Sequence, residues 1–162
     1  PILRGDSAHF RRLRGREETV TNCVLHVSKR VYLEDDPMNC DELLKALNEY
    51  IDGEVKGNDV VLFMKGTSQM PQCGFSSRIA GVLNYMGVEF KDVNVLADDA
   101  IRQGIKDFSD WPTIPQLYVK GEFVGGCDIV TEMTISGELD TLFEANGVVF
   151  NKEAADKIRE AN

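Results

Sequence analysis

The stretch Lys65-Gly66-Thr67-Ser68-Gln69-Met70-Pro71-Gln72-Cys73-Gly74-Phe75-Ser76-Ser77-Arg78 decides how this chain is read. Before it comes a continuous apolar run, Val60-Val61-Leu62-Phe63-Met64, the pattern of a strand buried on both faces. After the loop, Phe75, Ile79, Val82, Leu83 and Met86 recur at helical spacing. Gly87 stands where a helix ends in the left-handed conformation. A strand therefore runs into a loop and the loop into a helix, with Cys73 at the helix start. The unpaired amides and the dipole at a helix N-terminus favour negative charge, and Lys65 adds to the effect, so a thiol placed there becomes a thiolate. An inert buried cysteine belongs inside an apolar pattern, which Pro71-Gln72-Cys73-Gly74 is not.

Working outward, residues 40–55 read as a helix. Asn39 is its N-cap, Asp41 and Glu42 stand in its first turn, and Leu43, Leu44, Leu47, Tyr50 and Ile51 form its apolar face, with Gly53 and Gly57 closing it. Phe90 to Val95 alternates apolar and polar, as a second strand does, and residues 98–108 form a helix with Ile101, Ile105 and Phe108 inward. Leu117-Tyr118-Val119 is a third strand, Lys120-Gly121-Glu122 a hairpin turn and Phe123-Val124 a fourth strand. Gly125-Gly126 breaks that strand. A helix follows from Asp128, carrying Ile129, Val130 and Met133, and Gly137 interrupts it before Leu139, Leu142 and Phe143. Residues 151–162, polar apart from Ile158, read as a tail or a frayed helix. The order from residue 40 is helix, then β-α-β-α-β-β-α. The first β-α-β is parallel with a right-handed crossover, and the last two strands are joined too tightly to be other than antiparallel. The expected fold is α/β and thioredoxin-like, a four-stranded mixed sheet with helices on both faces. It occupies residues 39–150, between an arm at 1–38 and a polar tail at 151–162.

The 162 residues carry a net charge of −9, which argues against nucleic acid as the main ligand. No apolar run approaches the roughly 18–20 residues of a membrane helix. Charge is uneven: residues 1–30 hold seven basic and three acidic side chains, a local +4. With Gly5, Gly15 and no steady periodicity, that region reads as a mobile basic arm or the remnant of an organelle transit sequence, although Asp6, Glu17 and Glu18 depart from the acid-poor transit pattern. Val24 to Val27 forms a short strand or nothing, and His9 and His26 lie far in sequence from the thiol. Cys23, Cys40, Cys73 and Cys127 have no short metal spacing and are too few for a disulfide-stapled miniature fold, so the chain reads as intracellular with reduced thiols.

Cys73-Gly74-Phe75-Ser76 matches the CGFS signature, and the chain resembles the monothiol glutaredoxins over residues 40–148. Lys65, Trp111-Pro112-Thr113-Ile114-Pro115, the Gly125-Gly126 pair and Cys127-Asp128 agree with that family in order and spacing, most closely with its mitochondrial, glutaredoxin-5-like branch. The resemblance implies a glutathione site. Lys65 and Arg102 would hold the glycine carboxylate, the backbone of Ile114 before a cis Pro115 would pair with the cysteinyl unit, and the Cys127 and Asp128 amides would take the γ-glutamyl carboxylate. The Asp128 side chain would pair with the ammonium, cap its helix, or do both. Cys127 is either a small buried residue or a second reactive thiol, and Trp111 packs beneath the proline turn.

Ser76 occupies the position of the second cysteine of a C-x-x-C pair, and a hydroxyl cannot resolve a mixed disulfide. Cys73 therefore exchanges with an external thiol or serves as a metal ligand. The first function is an iron–sulfur carrier: a 2Fe–2S cluster takes four thiolates, met by Cys73 and one bound glutathione, or a related low-molecular-weight thiol, from each of two protomers. The chain would then be a monomer when empty and a homodimer when loaded. It would work in the mitochondrial matrix with iron–sulfur assembly and recipient proteins, without nucleic acid or membrane as partner. The alternative is a glutathione-dependent thiol–disulfide oxidoreductase that reduces mixed disulfides through Cys73, an activity that CGFS proteins generally show weakly.

Overall fold

The computed structural model describes residues 40–161. The expected arm, the Asn39 cap, Cys23, His9, His26 and the Val24–Val27 segment lie outside those residues.

Helix α1 (Cys40–Gly57) leads into β1 (Val60–Met64), α2 (Gly74–Tyr85), β2 (Lys91–Asn94) and α3 (Asp99–Ser109). The hairpin β3 (Gln116–Val119) and β4 (Glu122–Gly125) follows, then α4 (Cys127–Ser136), α5 (Glu138–Ala145) and α6 (Lys152–Glu160). The sheet order is β2-β1-β3-β4. β1 and β2 are parallel, pairing Phe63 with Val93 and Met64 with Asn94. β3 is antiparallel to β1, pairing Leu62 with Leu117, and β4 is antiparallel to β3. The expected mixed sheet is present, and its hairpin turns through Lys120 and Gly121, both at positive φ as a tight two-residue turn requires.

All five residues of β1 are buried, and their alternation divides the core. Val60, Leu62 and Met64 face Ile79, Ala80 and Leu83 of α2, Val130 of α4, and Leu139 and Phe143 of α5. Val61 and Phe63 face Ile51 and Val55 of α1 and Ile105 of α3. Phe63 meets Tyr118 edge-on with ring centres 5.7 Å apart.

Four details differ from the sequence pattern. Gly53 lies inside α1 rather than closing it, because the buried stripe continues through Val55. Tyr50 is exposed at the margin of that stripe. Phe108, in the last turn of α3, is 37% exposed because it overhangs a hollow beside Leu44 instead of the sheet. Phe75 keeps helical register with Ile79 yet is 60% exposed, since the first turn of α2 lies at the end of β1.

Of the two readings for the C-terminal segment the helix holds, and Lys152–Glu160 is docked rather than frayed. Asn151 caps α6 by accepting from the Ala154 amide at 3.1 Å, and its own amide donates to Met86 at 2.7 Å. Ala155 is fully buried. Arg159 donates to Asp140 of α5 at 2.7 Å and also pairs with Asp156. The second carboxylate oxygen of Asp140 is buried without a partner among the described residues, so the carboxylate depends on Arg159. In Arg159→Ala, amides 152–160 should exchange faster with solvent while those of β1 and β3 hold their protection. Unchanged exchange in α6 would mean that alanine burial alone docks it.

Candidate functional site

The strand registers gather the chemistry at one end of the sheet. β1 and β2 finish there, β3 begins there, and β4 finishes there. Lys65 follows β1, Arg102 stands in the second turn of α3 after β2, Ile114 precedes β3, and Cys127 and Asp128 open α4 after β4. Cys73 opens α2 at the same end, so the chain order brings the segments that carry the expected site residues to one end of the sheet. Ligand sites of open α/β sheets form at such strand ends.

The loop between β1 and α2 is fixed by its own backbone. The amides of Thr67 and Met70 donate to each other's carbonyls at 3.2 and 3.1 Å, and the Gln72 amide donates to Lys65 at 2.9 Å. Gly66 bridges to Pro71 at φ +86°, a conformation that glycine adopts without penalty. The loop delivers Cys73 in extended conformation as the N-cap of α2, half-buried, its carbonyl accepting from the Ser77 amide at 2.8 Å. The thiol makes no full capping hydrogen bond, yet it titrates below the ordinary thiol range. The Ser76 amide is the largest cause, acting against partial desolvation, and the Phe75 amide and the Lys65 charge assist. Because folding lowers this pKa, the thiolate's contribution to stability is present above the unfolded thiol pKa. It is lost as pH falls through the folded one.

Ser76 is fully buried, and its hydroxyl accepts from the Lys65 amide at 3.1 Å. It ties the helix start to the strand end. Cys40, Cys73 and Cys127 are free thiols; Cys127 is only 9% exposed and packs with Val130 and the α2 side of the core.

The turn before β3 is fixed by its own contacts. The Ile114–Pro115 peptide is cis, as expected, and Ile114 is buried. Trp111 donates its indole N–H to the Thr113 hydroxyl at 3.0 Å and lies against Phe123, its ring centre 5.6 Å away. A Cβ on Gly126 would stand 3.0 Å from the Trp111 indole nitrogen and 3.6 Å from the Pro115 carbonyl. The start of α4 therefore touches the proline turn. Asp128 is exposed in the first turn of α4, where backbone amides lack helical partners.

Sequence reasoning missed three polar side chains that hold this end together. Gln116 is fully buried and donates to the carbonyls of Trp111 and Thr113, both at 3.1 Å, while accepting from the Tyr118 hydroxyl. Asn94 and Asp92 on β2 accept from loop amides. The available signal was polar residues alternating with Val93 and Val95, on the strand face that looks away from the α1–α3 core. A groove of about 350 Å³ runs between α2 and α4 from Asp128, lined by Arg78, Thr131, Glu132, Ile135 and Ser136. A larger hollow of about 520 Å³ between α1 and α3 is lined by Leu44, Phe108 and charged α1 residues and includes none of the thiol-site residues.

Residues 60–124 match the glutaredoxin family model. A probable monothiol glutaredoxin 2 of Rickettsia felis is 54% identical over 96 residues, covering 59% of this chain and 92% of that protein. The mitochondrial monothiol glutaredoxin-5 of Saccharomyces cerevisiae is 46% identical over 140 residues, covering 84% of this chain and 87% of its own. Among solved structures, a buckwheat glutaredoxin in complex with glutathione superposes with a TM-score of 0.60 at 25% identity, covering 67% of this chain and 97% of that one.

Proposed function

The chain belongs to the monothiol glutaredoxin family, and from that premise we propose that it carries a 2Fe–2S cluster as cargo, ligated by Cys73 and by glutathione. One observation carries the proposal. Cys73 stands at an accessible helix start with its thiol pKa held below the ordinary value by the Ser76 amide, and the position three residues on is a buried serine already engaged with Lys65. The position of a C-x-x-C resolving thiol is therefore filled by a hydroxyl, and a thiolate at Cys73 suits a metal. Among the described residues no three His, Cys, Asp or Glu side chains cluster to hold a metal. Among the described residues one chain therefore offers one accessible thiol at this end, and four thiolates are met by two copies of Cys73 and two borrowed thiols.

Glutathione fits the surrounding chemistry. Lys65 and Arg102 offer cations to its glycine carboxylate, the backbone at Ile114 an edge for its cysteinyl unit, and the Cys127 and Asp128 amides a seat for the γ-glutamyl carboxylate. The Asp128 side chain would meet the ammonium. The buckwheat relative solved with glutathione supports this choice of ligand. The yeast relative described as mitochondrial supports a mitochondrial location; the matrix, with iron–sulfur assembly and recipient proteins as partners, is the place the carrier reading assigns.

Anaerobic reconstitution with glutathione, iron and sulfide should give a coloured species with a solution mass twice that of the chain, and withholding glutathione should prevent it. A colourless monomer under all conditions would remove the carrier reading. The low thiol pKa also suits a nucleophile, so glutathione-dependent reduction of mixed disulfides is the second reading. Rapid turnover in that assay together with failed reconstitution would favour it.

A further inference from the structure

The loop that delivers Cys73 is held from outside by the edge strand β2. Val93 points into the core between α1 and α3, so Asp92 and Asn94 present to the opposite face. There Asn94 Oδ1 accepts from the Gly66 and Leu96 amides, each at 3.0 Å. Two residues back along the strand and two residues on along the loop, Asp92 Oδ2 accepts from the Ser68 amide at 2.6 Å. Alternate residues of one strand thus grip alternate residues of one loop. Beyond the grip, the Thr67–Met70 pair and the Gln72–Lys65 bond lead directly to Cys73.

The Asp92–Ser68 bond is short and charge-assisted, a class of hydrogen bond stronger than its neutral counterparts. Burial opposes ionisation of Asp92, but the Ser68 amide and hydroxyl outweigh it and Lys91 assists, leaving the carboxyl below its ordinary range. It is a carboxylate at neutral pH. The glutathione cradle and the cluster ligation give it no part.

We propose that Asp92 is a positioning residue for the Cys73 thiol: by clasping the Ser68 amide it fixes the Lys65–Gln72 loop and so aims the α2 amides at the sulfur. The proposal rests on Cys73 being the functional thiol, but it concerns the metal-free protein. A clasp and a bare charge act in opposite directions. Removing a carboxylate whose influence is purely electrostatic would lower the pKa of a nearby thiol. Removing a clasp misaligns the Ser76 and Phe75 amides and raises it.

The test is the pH dependence of Cys73 alkylation by iodoacetamide in the metal-free full chain, with hydrogen exchange read at Ser68. Asp92→Ala should move the midpoint of reactivity to higher pH and speed Ser68 exchange about tenfold or more, with the global unfolding midpoint little changed. Asp92→Asn retains an acceptor oxygen without the charge and should restore both readouts in part, between the alanine variant and the wild type. An unchanged or lowered midpoint in Asp92→Ala would overturn the proposal, as would an asparagine variant impaired as much as the alanine one. Because no metal is present, a failed cluster reconstitution would leave this result standing. A wild-type midpoint in the ordinary thiol range would remove proposal and premise together.

Discussion

Cys73→Ser should emerge from anaerobic reconstitution colourless and monomeric, with cluster occupancy reduced to background. The expected loss is complete because no described side chain at this end of the sheet can substitute. Ser76 is fully buried and spends its hydroxyl on the Lys65 amide, and Cys127 is packed into the core at 9% exposure. The hydroxyl of a serine at position 73 would stay protonated at neutral pH, so the helix start and the Lys65 charge would have no anion to stabilise. The fold should be unaffected, since residue 73 is half-buried and its backbone, not its side chain, makes the bond to Ser77. Cys127→Ser, in contrast, should keep most of the cluster. A normal visible spectrum in Cys73→Ser would refute the ligand assignment. Complete loss in Cys127→Ser would show that the buried thiol takes part.

Gly66→Ala should cost about 2–4 kcal/mol of folding stability, combining the left-handed backbone penalty with overpacking. The residue sits at φ +86°, and an added Cβ would stand 2.4 Å from the Met70 carbonyl oxygen and 2.7 Å from the Gln72 nitrogen. Both are backbone atoms of the loop that delivers Cys73, so no side chain can swing aside to make room. Relief must come from opening the Gly66–Pro71 bridge or breaking the bond from the Gln72 amide to Lys65. Either shifts the thiol from the amides of α2. Chemical denaturation should show the stability loss, and alkylation of Cys73 should show a midpoint moved to higher pH. Wild-type values in both would mean that the loop is far softer than its hydrogen bonds indicate.

The parts that were legible before any coordinates share a physical cause. β1 announces itself because burial on both faces permits only apolar residues. The hairpin announces itself because Lys120-Gly121 between two apolar runs leaves no room for another connection. The thiol site follows from them, since parallel and antiparallel pairing fix which strand ends coincide. The parts that misled were decided by neighbours absent from the local pattern. Phe75 and Phe108 keep helical register but reach past the surfaces beneath them, and periodicity carries no information on where a sheet stops. α6 read as a tail or a frayed helix because only Ala154, Ala155 and Ile158 face inward, too few to register as a stripe; its docking uses one partly buried ion pair with α5. Asp92 and Asn94 stood only as polar positions of an alternating strand, and that pattern does not show that a loop more than twenty residues upstream returns to meet them.

The hydroxyl of Ser76 has an implication for how easily this protein could change its trade. Dithiol chemistry differs from monothiol chemistry by a single side chain, and on paper one nucleotide change supplies it. In this fold the position is sealed from solvent, and its oxygen is the acceptor for the amide that joins strand to helix. Sulfur is larger and a weak acceptor. A cysteine introduced there would arrive in a space shaped for oxygen and leave the Lys65 amide poorly satisfied. The hydroxyl of Ser76 therefore does two things at once: it withholds a second thiol from Cys73 and it joins the strand end to the helix start.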